Sequence, residues 1–155
     1  MSHLSQFNTS IHNFIADIKN MNVLKSDVVK LESYVEITHI NARAIIRHFQ
    51  QHVLRDVLVS NILANNIEFF LNYDVSKMIN EHVRDKKECN YAHLLVERIQ
   101  DLVGTMRKNN SYENINRTFD WIKMLCYHAY CDLGIDAGEK FKVLQQANMN
   151  AATNM

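Results

Sequence analysis

The stretch NARAIIRHFQQHVLRDVLVSNILANNIEFFLNYD, residues 41–74, carries the densest apolar patterning of the 155-residue chain. It contains two pairs of adjacent large hydrophobic residues, Ile45-Ile46 and Phe69-Phe70. Such pairs, at helical spacing from further apolar residues, are typical of buried helix faces. The stretch therefore decides the fold, and nothing in it has the pattern of a reaction centre.

A helix is predicted to begin after Asn41, whose side chain is a suitable N-cap. Its inward face is predicted to carry Ala44, Ile45, Phe49, Val53 and Leu54. His48 and His52 stand four residues apart on the same helix, which places both imidazoles on one side of it. Two ligands do not complete a zinc site, and HFQQH lacks the glutamate of an HExxH motif. We favour solvated or interfacial histidines over a metal site.

The second half of the stretch is less regular. A break is predicted between residues 55 and 61, because the β-branched Val57 and Val59 interrupt the helical rhythm. The string VLVSNIL fits either a helix or a short extended segment, and the pattern leaves both open. A short helix is predicted to start at Asn65 or Asn66 and to end near Asp74.

The rest of the chain also favours helices. Proline is absent and only three glycines occur, so the usual helix breakers and hairpin residues are scarce. Four more apolar stripes recur at three- and four-residue steps. They comprise Leu4, Phe7, Ile11, Phe14, Ile15 and Ile18; Leu24, Val28, Leu31 and Val35; Tyr91, Leu94, Leu95, Ile99, Leu102, Val103 and Met106; and Ile115, Phe119, Ile122, Leu125, Cys126 and Ala129. We predict an all-α fold, an irregular bundle of about five to seven helices in a single domain.

The boundaries of this bundle follow from its polar segments. Ser26 or Asp27 is predicted to cap the second helix. Residues 75–90 are polar and are predicted to form a weak helix or a surface loop. The helical domain is predicted to span residues 1–135, with Gly134 as a C-cap. Residues 136–155 are predicted to form a short helix followed by a flexible tail.

Charge and composition exclude several classes of protein. Lys plus Arg equals Asp plus Glu at 17 each, so the chain lacks the basic excess typical of duplex-binding domains. No basic segment followed by an apolar core opens the chain, and no apolar run reaches the ~20 residues of a membrane span. Cys89, Cys126 and Cys131 are an odd set without framework spacing. We expect a soluble protein with free thiols in a reducing compartment, not a secreted one.

Residues with chemical potential do not assemble into a catalytic pattern. Cys126, His128 and Cys131 form the string CYHAYC, but on a continuous helix their side chains diverge, so buried thiols that act as small hydrophobic residues are favoured over a metal site. No GxSxG, GxGxxG or phosphate-binding glycine loop occurs. The sequence therefore predicts no catalytic residue, no cofactor and no metal, and an enzyme built from scattered residues is the weakest alternative.

A nucleic-acid-binding or regulatory module is the main alternative to a protein-binding role. Arg43, Arg47 and Arg55 are predicted to share a helix with two glutamines, and such side chains contact phosphates and base edges. A single exposed helix with three arginines is also common in bundles that bind nothing. The zero net charge makes nucleic acid the less favoured partner.

Four segments resemble small all-helical proteins encoded by large nucleocytoplasmic DNA viruses. They are FNTSIHNFIADI at residues 7–18, NARAIIRHFQQHV at 41–53, IEFFLNYD at 67–74 and FDWIKMLCYHAY at 119–130. The resemblance implies a noncatalytic virion or assembly component, such as a minor capsid protein that bridges major capsid subunits. It offers no active-site residue.

This resemblance also implies partners and a location. We expect other viral structural proteins, or further copies of the chain, as partners in an oligomer or larger assembly, located in the virion or the host cytoplasm. Aromatic residues left outside the core would be the contact residues, because such side chains dominate interface energetics. The candidates are Trp121, Phe69 and Tyr130.

Overall fold

The fold is described by a computed structural model that covers residues 2–21, 25–38, 43–74 and 86–153. In these ranges the chain forms helices and no strand. In chain order they are α1 (His3–Lys19), α2 (Lys25–Thr38), α3 (Ala44–His52), α4 (Asp56–Leu63), α5 (Ile67–Asn72), α6 (Lys86–Lys108), α7 (Tyr112–Leu133) and α8 (Ile135–Thr153). The predicted all-α class is confirmed, and the eight helices of the described ranges exceed the predicted five to seven.

The extra helix comes from the ambiguous string VLVSNIL. It is helical, within α4, and the chain breaks just before it, where Arg55 is extended. Asp56 lies in the first turn of α4, where a carboxylate interacts favourably with the helix dipole. Leu58, Val59, Ile62 and Leu63 are buried, so tertiary packing outweighs the β-branched residues in this segment.

Helix α7 lies at the centre of the bundle, rather than residues 41–74. It contacts α1, α3, α4, α6 and α8. Its predicted apolar stripe is confirmed, because Ile115, Phe119, Ile122, Leu125, Cys126 and Ala129 are all buried. The ring of Phe119 meets that of Phe70 edge-on, with centroids 5.4 Å apart, which joins α7 to α5. The buried apolar residues of the described helices form one cluster around this helix.

Helix α1 packs along α7 with the stripe predicted for it. The Ser2 hydroxyl accepts the Ser5 backbone N–H and caps the helix. Phe7, Ile11, Phe14, Ile15 and Ile18 are buried, and Leu4 is partly buried against the core. At the other end, the Asp17 carboxylate accepts hydrogen bonds from Trp121 and Arg117 of α7. Both ends of α1 are therefore held by polar groups as well as by its apolar face.

Helix α2 begins before the predicted cap. It starts at Lys25, so Ser26 and Asp27 lie inside its first turn and neither is the N-cap. Val28, Leu31 and Val35 are buried as predicted. Asp27 is also buried and accepts a 3.0 Å hydrogen bond from the Thr105 hydroxyl of α6. Its carboxylate therefore joins α2 to α6.

Helices α5 and α6 show how polar side chains complete the bundle. Asn66 caps α5 by accepting the Phe69 N–H. It is one of the two residues, Asn65 and Asn66, at which this helix was predicted to start. Gln100 of α6 donates to the carbonyls of Phe70 and Tyr73, 3.0 Å from each, and so satisfies the C-terminal end of α5. The structure begins α6 at Lys86, and the prediction for residues 75–85 lies outside the described residues.

The C-terminal helix is longer than predicted. Gly134 ends α7 at φ +136°, a conformation that favours glycine, and α8 then runs to Thr153 instead of a short helix followed by a tail. Phe141 of α8 is buried. The Asn148 amide donates to the Leu63 carbonyl at the end of α4, 3.0 Å away. These long-range contacts stabilise a segment whose own apolar content is small.

None of the helices in the described ranges is both long enough and apolar enough to cross a bilayer.

Candidate functional site

An open pocket of about 320 Å³ lies where α1, α7 and α8 meet. Its walls are formed by His3, Tyr127, Cys131, Gly134, Gly138, Glu139 and Lys142. Such a volume is at the lower end of the range for small-ligand sites and is sufficient for one or two side chains of a partner protein. We call it the α1–α7–α8 pocket.

Two glycines shape this pocket. Gly134 turns the chain from α7 into α8, and Gly138 faces Cys131 across the junction of the two helices. A Cβ atom at position 138 would lie 3.3 Å from the Cys131 sulfur. The absence of a side chain therefore lets α8 approach α7 closely at the base of the pocket.

Two exposed apolar side chains lie one turn apart on α7, and the second of them lines the pocket. Met124 is 44% exposed and Tyr127, one turn later, is 36% exposed. The Met124 sulfur accepts a 3.5 Å hydrogen bond from the Ser10 hydroxyl of α1. The Tyr127 ring stands edge-on to His3, 6.0 Å between centroids, and lies 5.8 Å from Phe141. These two side chains and the α1–α7–α8 pocket together are called the docking patch.

Two histidines meet beside the pocket. The Nδ1 atoms of His3 and His128 are 3.4 Å apart, and their ring centroids are 5.6 Å apart. His128 is buried, whereas His3 is partly exposed and lines the pocket. Burial, and secondly the charge that His3 can carry, lower the pKa of His128. His128 is therefore neutral at pH 7, and one Nδ1 donates to the other.

The charges at the pocket largely cancel. Glu139 and Lys142 form an ion pair, 3.3 Å apart, one turn from each other on α8. An isolated phosphate or carboxylate would find no uncompensated cation from this pair. Tyr127 supplies apolar surface in the pocket, and Met124 supplies more one turn earlier on α7, so the patch suits an apolar side chain of a protein better than an anionic ligand.

The thiols near the site are not arranged for catalysis. Burial raises the pKa of the Cys126 thiol, which stays protonated and unreactive at neutral pH. Cys131 is partly exposed, and both cysteines are free. Cys126, His128 and Cys131 lie on the uninterrupted α7, and among the described residues no three His, Cys, Asp or Glu side chains converge as metal ligands. The side chain of Cys89 lies outside the described residues.

A second concave region lies between α1 and α2. A pocket of about 420 Å³ there has the apolar residues Ile18, Met21 and Val28 among those that line it. The Lys19–Glu32 ion pair, 2.6 Å long, separates it from a smaller pocket of about 280 Å³. Met21 and Lys25, which line the larger pocket, are the last and first described residues on either side of a gap in the described ranges, and no function is assigned to this pocket.

The three predicted contact residues differ in how far they are exposed to solvent. Tyr130 is only 3% exposed, so the expectation that it lies outside the core is wrong. Its ring packs 5.6 Å from Phe141 of α8, which covers it, and burial with nearby Cys126 and Asp56 raises its pKa to about 12. Trp121 is partly buried, and its indole donates to Asp17 over 2.8 Å. Phe69 is also partly buried, beside the Tyr73 ring.

The three predicted arginines do not share one helix. Arg43 precedes α3 and pairs with Asp132 of α7, 3.3 Å away. Arg47 lies on α3 and is exposed, whereas Arg55 precedes α4 and is partly buried. The Arg55 Nε atom is buried without a hydrogen-bond partner in the described part of the chain. The single basic helix face expected for nucleic acid is therefore wrong, because the chain breaks between Val53 and Asp56.

His48 and His52 both lie on α3, four residues apart as the sequence requires. Their side chains lie outside the described residues, and the metal hypothesis for them stays untested.

Sequence reasoning missed the docking patch. Met124 and Tyr127 lie opposite the apolar stripe of α7, and two large side chains at that spacing on a polar face are the signal that was available. His3 gave no signal, because its partner lies 125 residues away in the sequence.

Comparisons with models of known protein families, with curated proteins and with solved structures find no match. The fold and the docking patch are therefore interpreted from their own residues.

Proposed function

We propose that this chain is a noncatalytic interaction protein that binds another protein through the docking patch. The observation that carries the proposal is the exposure of Met124 and Tyr127 on one side of α7, where Tyr127 also lines an open pocket. Aromatic residues and methionine are enriched where proteins bind each other. Exposed apolar side chains scattered singly need no explanation, but these two lie one turn apart and Tyr127 lines a cavity.

The rigidity of the patch supports this role. Ser10 and His3 of α1 contact Met124 and Tyr127, and Phe141 of α8 supports Tyr127 from the other side. Side chains that are already ordered lose little conformational freedom on binding, so more of the contact energy appears as affinity. An aromatic contact residue of this kind contributes about 2 kcal/mol or more when it is central to an interface.

The resemblance of four sequence segments to helical proteins of large DNA viruses suggests which assembly is involved. We propose that the chain is a virion component, a minor capsid protein that joins other structural proteins in the particle or during its formation in the host cytoplasm. On this proposal its partners are capsid proteins or further copies of itself. The docking patch, in which the charges of Glu139 and Lys142 pair with each other, is the surface that would contact them.

The nucleic-acid alternative is weaker. Arg43 is already paired with Asp132, and Arg55 is partly buried beyond the end of α3. Two of the three arginines on which this alternative depends are therefore not displayed on a common face. A protein that neutralised several phosphates would lose affinity steeply as salt increases. Binding to duplex DNA that falls with salt, and that weakens for Arg47→Ala, would favour this alternative.

Size-exclusion chromatography with light scattering tests the proposal. The chain is analysed alone and mixed with capsid proteins from the virus that encodes it, at low and at physiological ionic strength. Met124→Lys places a charge in the patch, and Val57→Lys, at an apolar residue of α4 that is 64% exposed, is the matched control.

We expect an oligomer or mixed complex that Met124→Lys weakens by roughly tenfold or more and Val57→Lys leaves unchanged. A complex that forms equally well with both variants would refute the patch as the binding surface. No complex in any mixture would refute the assembly function itself.

A further inference from the structure

The docking patch combines an exposed side chain and a cavity along one helix. Met124 is 44% exposed, and Cys131, two turns later on α7, lines the α1–α7–α8 pocket. Seven residues of α-helix correspond to about 10 Å, and Tyr127 lies near the middle of this distance. The exposed side chain and the cavity therefore lie at similar distances on opposite sides of Tyr127.

This arrangement is complementary to a second copy of itself. A two-fold axis in the plane of contact that crosses α7 at Tyr127 makes the two α7 helices antiparallel. Met124 of each copy then faces the pocket beside Cys131 of the other copy, and symmetry makes this contact twice. A methionine side chain is unbranched and flexible, which suits an open pocket of about 320 Å³.

The charges of the patch meet the same symmetry requirement. Glu139 and Lys142 both line the pocket, one turn apart on α8, and their side chains are 64% and 62% exposed. When the axis passes between them, Glu139 of each copy faces Lys142 of the other. A patch with a net charge would oppose like charges on meeting its own copy, which is unfavourable. The acid–base pair instead gives a network of four charges with alternating sign.

The apolar surface of the patch continues onto α8. Val143 follows Glu139 by one turn, so it lies on the same side of the helix, and it is 66% exposed. Specific interfaces bury roughly 800 Å² on each partner, so a stable contact extends beyond one pocket. Because the two-fold axis brings α8 of one copy against α8 of the other, Val143 adds apolar area to the same contact.

We propose that the partner of the docking patch is a second copy of this chain, joined around a two-fold axis with antiparallel α7 helices. Met124 of each copy occupies the pocket of the other, and Glu139 pairs with Lys142 across the axis. This dimer rests on the proposed function, since it uses the same surface, and it adds the identity and the arrangement of the partner.

Charge reversal tests the dimer. Sedimentation velocity and light scattering are carried out at low ionic strength from about 1 µM to about 1 mM chain. The variants are Glu139→Lys, Lys142→Glu and the double variant with both changes. The control is Asp101→Lys, because Asp101 belongs to a comparable acid–base pair, with Arg98 on α6, outside the docking patch. Circular dichroism checks that each variant is folded.

The expected results follow from the charges that face each other across the axis. The wild type and Asp101→Lys should dimerise with the same Kd. Glu139→Lys alone and Lys142→Glu alone should each raise the Kd by roughly tenfold or more, since like charges then oppose each other. An equimolar mixture of these two variants should form a heterodimer, because every lysine again faces a glutamate, and the double variant should dimerise like the wild type.

Three results would overturn the proposed dimer. They are a wild type that stays monomeric up to about 1 mM, a dimer that neither single reversal weakens, and folded single variants whose mixture and double variant do not restore dimerisation. Mixtures with capsid proteins separate this failure from that of the proposed function. A monomeric wild type that binds a capsid protein in a complex weakened by Met124→Lys would leave the docking patch in place with a different partner. No complex in any mixture would refute both.

Discussion

Asp17 is expected to be the most important polar residue between α1 and α7. One carboxylate oxygen accepts the indole N–H of Trp121, 2.8 Å away, and the other accepts from the Arg117 guanidinium. Asp17→Ala removes the carboxylate that accepts both hydrogen bonds. It leaves the indole N–H without its acceptor at a position where Trp121 is only partly exposed to water.

The magnitude follows from these two contacts. A hydrogen bond to a charged group contributes about 1.5–3 kcal/mol, and the lower end applies because water can reach the indole. The Arg117 ion pair is solvent-exposed on the arginine side and adds about 0.2–1 kcal/mol. Asp17→Ala should therefore cost about 2 kcal/mol. Asp17→Asn keeps an acceptor for the indole and should cost less, about 0.2–1 kcal/mol, for the lost ion pair.

The assay uses the fact that Trp121 is the single tryptophan of the chain. Urea unfolding is followed by circular dichroism and by tryptophan emission. With a slope of about 2 kcal/mol per molar urea, the loss lowers the midpoint by about 1 M. The control is Asp120→Ala, because Asp120 lies on α7 beside Trp121 and its 3.8 Å contact with Lys123 is exposed to solvent.

The control should lose less than about 0.5 kcal/mol. Equal destabilisation by Asp17→Ala and Asp120→Ala, or an unchanged emission maximum in Asp17→Ala, would refute the reasoning.

Four further substitutions have predicted signs. Gln100→Ala leaves two carbonyls at the end of α5 without a donor and should lower the free energy of unfolding by about 1–3 kcal/mol in chemical denaturation. Gly134→Ala forces a Cβ into a backbone conformation near φ +136° and ψ 173°, and should lower the free energy of unfolding by about 1–3 kcal/mol in thermal denaturation. Gly104→Ala, in the interior of α6, should instead raise it by up to about 1 kcal/mol. Asn148→Ala should cost about 1 kcal/mol and should accelerate amide exchange in the second half of α8.

Each of these has an outcome that would contradict it. Gln51→Ala, at an exposed position of α3, serves as the control for Gln100→Ala, and equal effects would show that the α5 carbonyls do not need Gln100. A stabilising Gly134→Ala would mean that the α7–α8 turn does not require glycine. Unchanged exchange along α8 in Asn148→Ala would mean that the bond to α4 does not hold its C-terminal half.

The helical class and two of the main helices could be predicted because their pattern is unambiguous. In α1 and α7, large apolar residues recur at three- and four-residue steps, and all of those expected to be core in α7 are buried. The sequence could not decide whether VLVSNIL is helical or extended, since its apolar residues fit both the helical and the strand period. There, contacts from α7 and α8, distant in sequence, select the helix.

The extent of α8 was not predictable for a related reason. Its segment has few large apolar residues, so the local pattern gave little support for a long helix. Burial of Phe141 and the bond from Asn148 to α4 depend on the folded bundle. The same helix covers Tyr130, which is why a residue expected at the surface is buried.

The candidate site depends almost entirely on tertiary structure. Met124 and Tyr127 were visible as apolar residues outside the stripe, but the pocket beside them exists only where α1 and α8 meet α7. The arginine cluster was a wrong prediction because one continuous helix was assumed from residue 43 to residue 55. The break before α4 separates its members.

The most direct test of the docking patch is site-specific photocrosslinking within the assembled complex. A photoreactive amino acid is placed at position 124 and, as a control, at position 57, both exposed in the isolated chain. Crosslinked partners are identified by mass spectrometry of the purified particle. The account predicts a discrete crosslink to a structural protein, or to a second copy of the chain, from position 124 and none from position 57. Crosslinks from position 57 alone, in particles that contain both labelled proteins, would contradict it.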